Sequence, residues 1–397
     1  MTKQHDTKYL ASLKARYAKA SKKERSQILD EFVATTGYHR KYAIAVLRGK
    51  RQRATGPIRR PRRAYYTAED AHTILVLADL FDQICSKRLR AAMDNELGKL
   101  YKNGFLRISP ASYERLQQIS PSTMDRLRGR YGRRQGKARG LTKPGTLLKH
   151  QIPIRTWAQW DEDRPGFCEI DLVDHSGGNT RGDHAWTLTF TDVKTGWTEC
   201  VAVRNKAEKH VFAAIQRVRE RLPFPLLGID SDNGSEFIND ELFRYCLREK
   251  ITFTRGRAGR KNDNAYVEQK SWSVVRRTVG YRRYDSFHHL LLLNRLYSVL
   301  RFYVNFFLPV MKLVQKERFG SRVKKTYDQP LTPCARVLAH PDVSDEDKEN
   351  LRIAYQALDV VHLRQQLDHL LDQLWSQSEA ADYAAPESDG VSSPGTI

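Results

Sequence analysis

The chain has 397 residues with 40% hydrophobic and 29% charged content, enough apolar material for globular cores and too much length for one of them, so two to four domains are expected. Its net charge of +22 is unevenly spread: residues 1–66 carry +14, residues 126–150 carry +9, and the remainder carries −1. That distribution points to a polyanion, nucleic acid first, rather than to a solubilising surface. The sequence offers no run of eighteen apolar residues and no signal-peptide pattern, so no membrane partner is expected, and a cytoplasmic, nucleoid-associated protein is. Five scattered cysteines without a CxxC or His/Cys ligand spacing fit a reducing compartment, core packing and no zinc.

In chain order, residues 9–20 place Tyr9, Leu10, Leu13 and Tyr17 at helical spacing. Ser21 is positioned to cap a second helix around Ile28, Leu29 and Phe32, and Gly37 sits where a turn needs positive φ. A third helix over 39–47 leaves His39, Arg40 and Lys41 at its opening, as in a helix-turn-helix that enters a DNA groove by its second helix. The adjoining tract Arg59, Arg60, Pro61, Arg62 and Arg63 cannot build a core but can follow a phosphate backbone. Residues 67–131 read as a second helical unit. Its last helix opens at Ser120-Pro121 and presents Arg126, Arg128 and Arg130, a second helix-turn-helix reading. Arg133 and Arg134 lead a Gly-, Arg- and Lys-rich linker expected to track DNA.

Strand patterning starts at Phe167. Strands are expected over 167–173, 186–193 and 197–203, the last two joined by a Lys194-Thr195-Gly196 turn. A helix over 206–222, a buried strand over 226–229, a helix over 241–250, a strand over 252–254 and a helix opening near Asn262 follow, giving a mixed α/β domain. Residues 287–314 read as helical and 326–342 as irregular or short strands. Residues 345–376 read as helix capped by Ser344, with a leucine stripe that serves either as an interface or as an internal dock. The acidic, small-residue tail from Glu379 is expected to be disordered.

Three carboxylates stand out. Asp171 lies mid-strand in Glu169-Ile170-Asp171, Asp232 follows an apolar strand and precedes Asn233-Gly234, and Glu268 lies about one turn into a helix. Thirty-five residues separate the last two. Converging acids raise one another's pKa, and a pair of Mg²⁺ or Mn²⁺ ions resolves the repulsion while serving phosphodiester chemistry. Arg255, Arg257, Arg260, Lys261 and Lys270 are the basic residues nearby in sequence that would hold a strand. Glu169, Asp174 and Asp230 compete for the first two positions, whereas Asp192 before a turn reads as structural.

Residues 165–285 resemble the catalytic core of the retroviral-integrase superfamily, specifically bacterial insertion-sequence transposases. The residues that carry the likeness are Glu169-Ile170-Asp171, Asp230 to Phe237 and Asn262 to Gln269, with the D,D(35)E spacing. The resemblance implies a ribonuclease-H-like fold with Asp171, Asp232 and Glu268 as the catalytic, metal-binding triad. It implies a transposase that binds terminal inverted repeats, nicks their 3′ ends and joins them to target DNA as a homodimer or larger assembly. Two features depart from the pattern: no zinc-binding N-terminal module exists, and Trp272 stands where a basic residue is frequent. The rival reading is an element-derived DNA-binding regulator that no longer cuts. The expected organisation is multidomain: helix-turn-helix units at 1–64 and 65–131, a linker at 132–160, the α/β core at 161–285, a mostly α region at 286–376, and a tail at 377–397.

Overall fold

The computed structural model describes residues 3–49, 64–131, 163–232, 234, 236–256, 265–319 and 322–378. The chain divides into two compact units, one ending at Tyr65 and one from Tyr66 onward.

The first unit holds helices α1 (Lys3–Lys19), α2 (Lys22–Thr36) and α3 (Arg40–Leu47). Ser21 and Glu24 form a reciprocal capping box at the start of α2, satisfying two backbone donors that a helix end leaves open. Gly37, at φ +68°, ends α2 in the left-handed conformation that a side chain disfavours. Leu13, Tyr17, Ile28, Leu29, Phe32, Ala43 and Leu47 form its small core.

The second unit begins with α4 (Ala68–Leu80), α5 (Ser86–Lys102), α6 (Pro110–Gln117) and α7 (Pro121–Tyr131). A mixed five-stranded sheet follows, in the order β3-β2-β1-β4-β5. Its strands are β1 (Phe167–Asp174), β2 (Trp186–Asp192), β3 (Thr198–Val203), β4 (Gly228–Ser231) and β5 (Thr252–Arg255). The first three pair antiparallel, while β4 and β5 run parallel to β1, as the alternation of helix and strand predicts.

Alternation along β1 assigns two faces. Cys168, Ile170 and Leu172 join Phe190, Val201, Ile229 and Phe253 under α8 (Glu208–Arg219) and α9 (Asp240–Arg248). On the other face Val173 joins Ala185, Cys200 and Ala202. This face is covered by α10 (Ala265–Lys270), a π-helical stretch Ser271–Arg276, α11 (Arg277–Val279) and α12 (Phe287–Phe302), which runs into a second π-helical stretch Tyr303–Phe307. Asp192 is fully buried and structural. It accepts backbone N–H bonds from Gly166 and Thr195 and the Thr195 hydroxyl, holding both the entry to β1 and the β2–β3 turn.

The C-terminal region departs from the helical reading. Residues 313–327 form a hairpin of β6 (Leu313–Phe319) and β7 (Arg322–Tyr327). Its strands carry no apolar/polar alternation, since Gln315 to Arg318 are all polar, and so gave no strand signal in sequence. After α13 (Pro333–Leu338), the single helix expected over 345–376 is two, α14 (Asp345–Ala357) and α15 (Val360–Ser376). Asp359 breaks the run by capping the amides of Val361 and His362. The leucine stripe of α15 docks internally against α12, with Leu363, Leu367, Leu370 and Leu374 buried. Residues 66–131 form no separate unit: Leu77, Phe81, Leu89 and Met93 share one core with Trp197, Leu293, Leu296 and Leu374. Asp70, fully buried, is held by Arg115 through two bonds of 2.8 and 3.0 Å, with Ser112 and Thr67.

Candidate active site

The site is built where β4 ends beside the middle of β1, its parallel neighbour. Ile170 pairs with Ser231, so the next residue of each strand, Asp171 and Asp232, emerges at the same edge. Ligands bind at such edges of open α/β sheets. The helical run from Ala265 lies across the face that Glu169 and Asp171 share. The Glu169 carboxylate accepts the backbone N–H groups of Tyr266 and Val267, each at 2.9 Å. One turn past Glu268, the Ser271 hydroxyl donates to Asp171 at 2.9 Å. Glu268 itself is exposed and lies in the helix between these two anchors.

The electrostatics tie the three acids together. Burial pushes the Asp171 carboxyl up to about 7, reinforced by the negative charges of Asp232 and Glu268 and opposed by the bonds from Ser271 and the Leu172 amide. Burial raises Asp232 as well, against the Gly234 amide, which donates to it at 2.9 Å, and against the cation of Lys206. Glu169 is 3% exposed and is pushed up to about 8, by burial first and then by Asp230 and Glu268. Asp230, paired to Glu169 in the register, is buried and accepts the Thr254 hydroxyl, so it sits below the edge rather than on it. Asp174 turns away to bond Ser176 and His184.

Among the described residues, no three His, Cys, Asp or Glu side chains stand close enough to hold a metal ion as a ready-made group. By donor chemistry the three carboxylates suit a hard divalent cation, whose charge would relieve the repulsion that raises Asp171.

The basic residues fare differently. Lys270, expected to hold a strand, is 9% exposed and faces inward toward Cys200. Two residues past the exposed Glu268, it has turned about 200° around the helix. Burial, with the charges of Arg88 and Arg336, lowers its ammonium to about 7, and this placement does not suit a surface contact with DNA. Arg128 bonds Ile84 O at 2.7 Å and Gln83 Oε1 at 2.9 Å, tying α7 to the loop between α4 and α5. Arg126 is exposed and bonds Thr123 at 2.9 Å; Arg130 is exposed. His39 caps α3, Arg40 pairs with Asp30 and bonds Ser26, and Lys41 is exposed. Arg59, Arg60, Arg62, Arg63, Arg133, Arg134, Arg257, Arg260 and Lys261 lie outside the described residues.

The sequence reading missed the positioning role of Glu169 and Ser271. Both face the site by simple periodicity, two residues from Asp171 in a strand and three from Glu268 in a helix, but only the packing of α10 on β1 brings them to their partners.

Residues 161–261 match the family model of the integrase core domain, a stretch that includes Asp171 and Asp232 and ends before Glu268. The central α/β domain thus matches the integrase core domain. The chain is 39% identical over 338 residues to the uncharacterized protein y4rM of Sinorhizobium fredii, covering 83% of this chain and 94% of that one, and it belongs to the same family. Among solved structures it is similar to the catalytic core domain of BIV integrase, at 17% identity and TM-score 0.26, over 35% of this chain and 83% of that one. It is also similar to the HTLV-2 integrase catalytic core domain in complex with magnesium, at 14% identity and TM-score 0.28, over 37% of this chain and 90% of that one. No helix among the described residues is long and apolar enough to cross a membrane.

Proposed function

We propose that the chain is a transposase that cuts and joins DNA at the terminal inverted repeats of an insertion sequence. The observation that carries this reading is Asp171, a carboxyl raised to about 7 by burial and by Asp232 and Glu268 at the edge of an integrase-type sheet. Acids raised by burial and by one another's charge at the edge of a sheet are candidates for a functional site.

Asp171, Asp232 and Glu268 would hold Mg²⁺ or Mn²⁺, two ions in all. When bound, these ions supply charge stabilisation and an activated oxygen nucleophile at neutral pH. The chain's own residues set the geometry. Ser271 fixes the rotamer of Asp171, Glu169 pins the first turn of α10 and thereby the depth of Glu268, and the Gly234 amide holds Asp232. In the first step water attacks the phosphorus at the repeat's end and the P–O3′ bond breaks, leaving a free 3′-hydroxyl and a 5′-phosphate. In the second, that hydroxyl attacks a target phosphodiester, its proton is lost, and the target's own 3′-oxygen departs.

End recognition is assigned to the N-terminal unit, where the exposed Lys41 opens α3 beyond the Gly37 turn, in the helix-turn-helix manner. Inserting two ends together calls for at least two copies of the chain on DNA. The test is strand transfer of a labelled duplex carrying the element's own repeats, with Mg²⁺ or Mn²⁺ and then with EDTA. Metal-dependent nicking and joining that Asp232→Asn abolishes, with end binding retained, supports the proposal. Tight end binding with no cutting in either metal refutes it in favour of a regulator.

A further inference from the structure

The β6–β7 hairpin is not explained by the packing of the second unit. From Val314 to Tyr327 every described side chain except Glu317 is exposed. An isolated two-stranded ribbon is marginally stable in water, so a free one needs a reason to exist. Its base, in contrast, is firmly held. The Lys312 amide donates to Asp328 at 2.7 Å, Arg336 pairs with Asp328 at 2.7 Å, and the Lys312 ammonium donates to Lys194 O at 2.9 Å. That ammonium also lies 5.8 Å from the ring centroid of Tyr266, whose own amide bonds Glu169. The ribbon therefore springs from beside the first turn of the helix that carries Glu268, and at six or seven residues per strand it extends for roughly 20 Å.

Its charge is one-signed. Residues 313–327 hold five basic residues and one acid. The one acid, Glu317, pairs with Lys324 across the ribbon. On the other face the register sets Lys316 directly opposite Lys325, with Arg318 the next basic residue along β6. Like charges directly opposite each other destabilise a strand pair, a cost that a bound polyanion removes. The same lysines blunt the ribbon's open edges against pairing with another strand, which disfavours a second copy as occupant. A two-stranded ribbon fits the major groove of a duplex.

We infer that the β6–β7 ribbon is a DNA-contacting arm, in which Lys316, Arg318 and Lys325 meet the phosphates of duplex DNA running to the Asp171–Asp232 edge. The inference rests on the nucleic-acid reading proposed above.

The experiment uses the full-length chain and a fluorescein-labelled duplex of arbitrary sequence, in EDTA so that no cutting enters. Anisotropy titrations over a series of salt concentrations give the slope of log K against log salt. Removing three phosphate contacts in Lys316→Ala/Arg318→Ala/Lys325→Ala lowers that slope by about 3, since each neutralised phosphate contributes about 0.9. The charge-keeping variant Lys316→Arg/Arg318→Lys/Lys325→Arg keeps the wild-type slope, which separates lost charge from lost folding. A wild-type slope in the alanine variant overturns the arm while leaving the transposase reading intact. So does a change from dimer to monomer in sedimentation at unchanged slope, which makes the ribbon an interface between copies. Absence of any duplex binding by the wild-type chain overturns both readings.

Discussion

The carboxyl of Glu169 offers a substitution whose two versions should behave oppositely. It is 3% exposed and accepts the first two amides of α10, each at 2.9 Å. Because burial and its acidic neighbours push it up to about 8, it is protonated at pH 7 and accepts those amides as a neutral group. A glutamine carbonyl can do the same. Glu169→Gln is therefore expected to match wild-type stability to within about 1 kcal/mol, the scale of a neutral hydrogen bond, at about pH 4.5 and below, where the glutamate is neutral in the folded and the unfolded chain alike. Glu169→Ala strands two buried amides at a helix start and opens a cavity, a loss of about 2–4 kcal/mol from cap and desolvation together. Both variants also part from wild type with pH. In wild type the folded state keeps a proton that the unfolded chain releases near 4.5, so stability falls as pH rises from about 4.5 to about 8 and is level above. Both variants lack this component and gain on wild type across that window, so the glutamine–alanine difference stays constant with pH. Urea unfolding in EDTA followed by tryptophan emission reads the right unit, because all six tryptophans lie beyond residue 150. Equal losses in the glutamine and alanine variants, or none in either, would refute the capping argument.

Other expectations follow from the same geometry. Ser271→Ala removes the donor that lowers Asp171, so the acid limb of the cutting rate should move up by about one pH unit with the fold retained; an unmoved limb would deny Ser271 its positioning role. Mg²⁺ should raise the melting temperature more at pH 8 than at pH 5, because Asp171 must give up a proton held to about 7 before it can ligate, and Asp171→Asn should erase the difference. Burial works against the Asp70 carboxylate, but Arg115, Ser112 and Thr67 keep it below its ordinary range. Arg115→Ala should cost about 3–5 kcal/mol by leaving that charge buried and unpaired, and adding Asp70→Asn should recover part of it in urea unfolding.

What could be read from sequence was whatever depends on short-range pattern. Ser21 and Glu24, Gly37 before α3, the alternation of β1, and Asp232 shortly after the apolar run 226–229 all carry their conformation locally. What could not be read depends on which side of an element meets another. Lys270 reads as a free base until α10 is laid on β1 and β2 and turns it inward. Arg128 reads as a DNA contact until α7 meets the loop between α4 and α5. Glu169 reads as a strand acid until a chain segment almost a hundred residues away places its amides upon it. The break at Asp359 had a local signal, a good helix cap four residues before the stripe's Leu363, overlooked because apolar periodicity continued across it.

The core shared by α4–α7, α12, α15 and one face of the sheet has a consequence for cooperativity. The Tyr303 hydroxyl donates to Leu80 O, Arg277 is paired with Asp82, and Arg282 reaches Trp375 O. Segments far apart in the chain therefore melt together: heating should give one transition for everything beyond Tyr65 and a separate, smaller one for the three N-terminal helices. A fragment of residues 163–285, without α4–α7, α12 and α15, would leave Trp197, Cys200 and Ala202 facing water and should aggregate, although every carboxylate of the site would still be present.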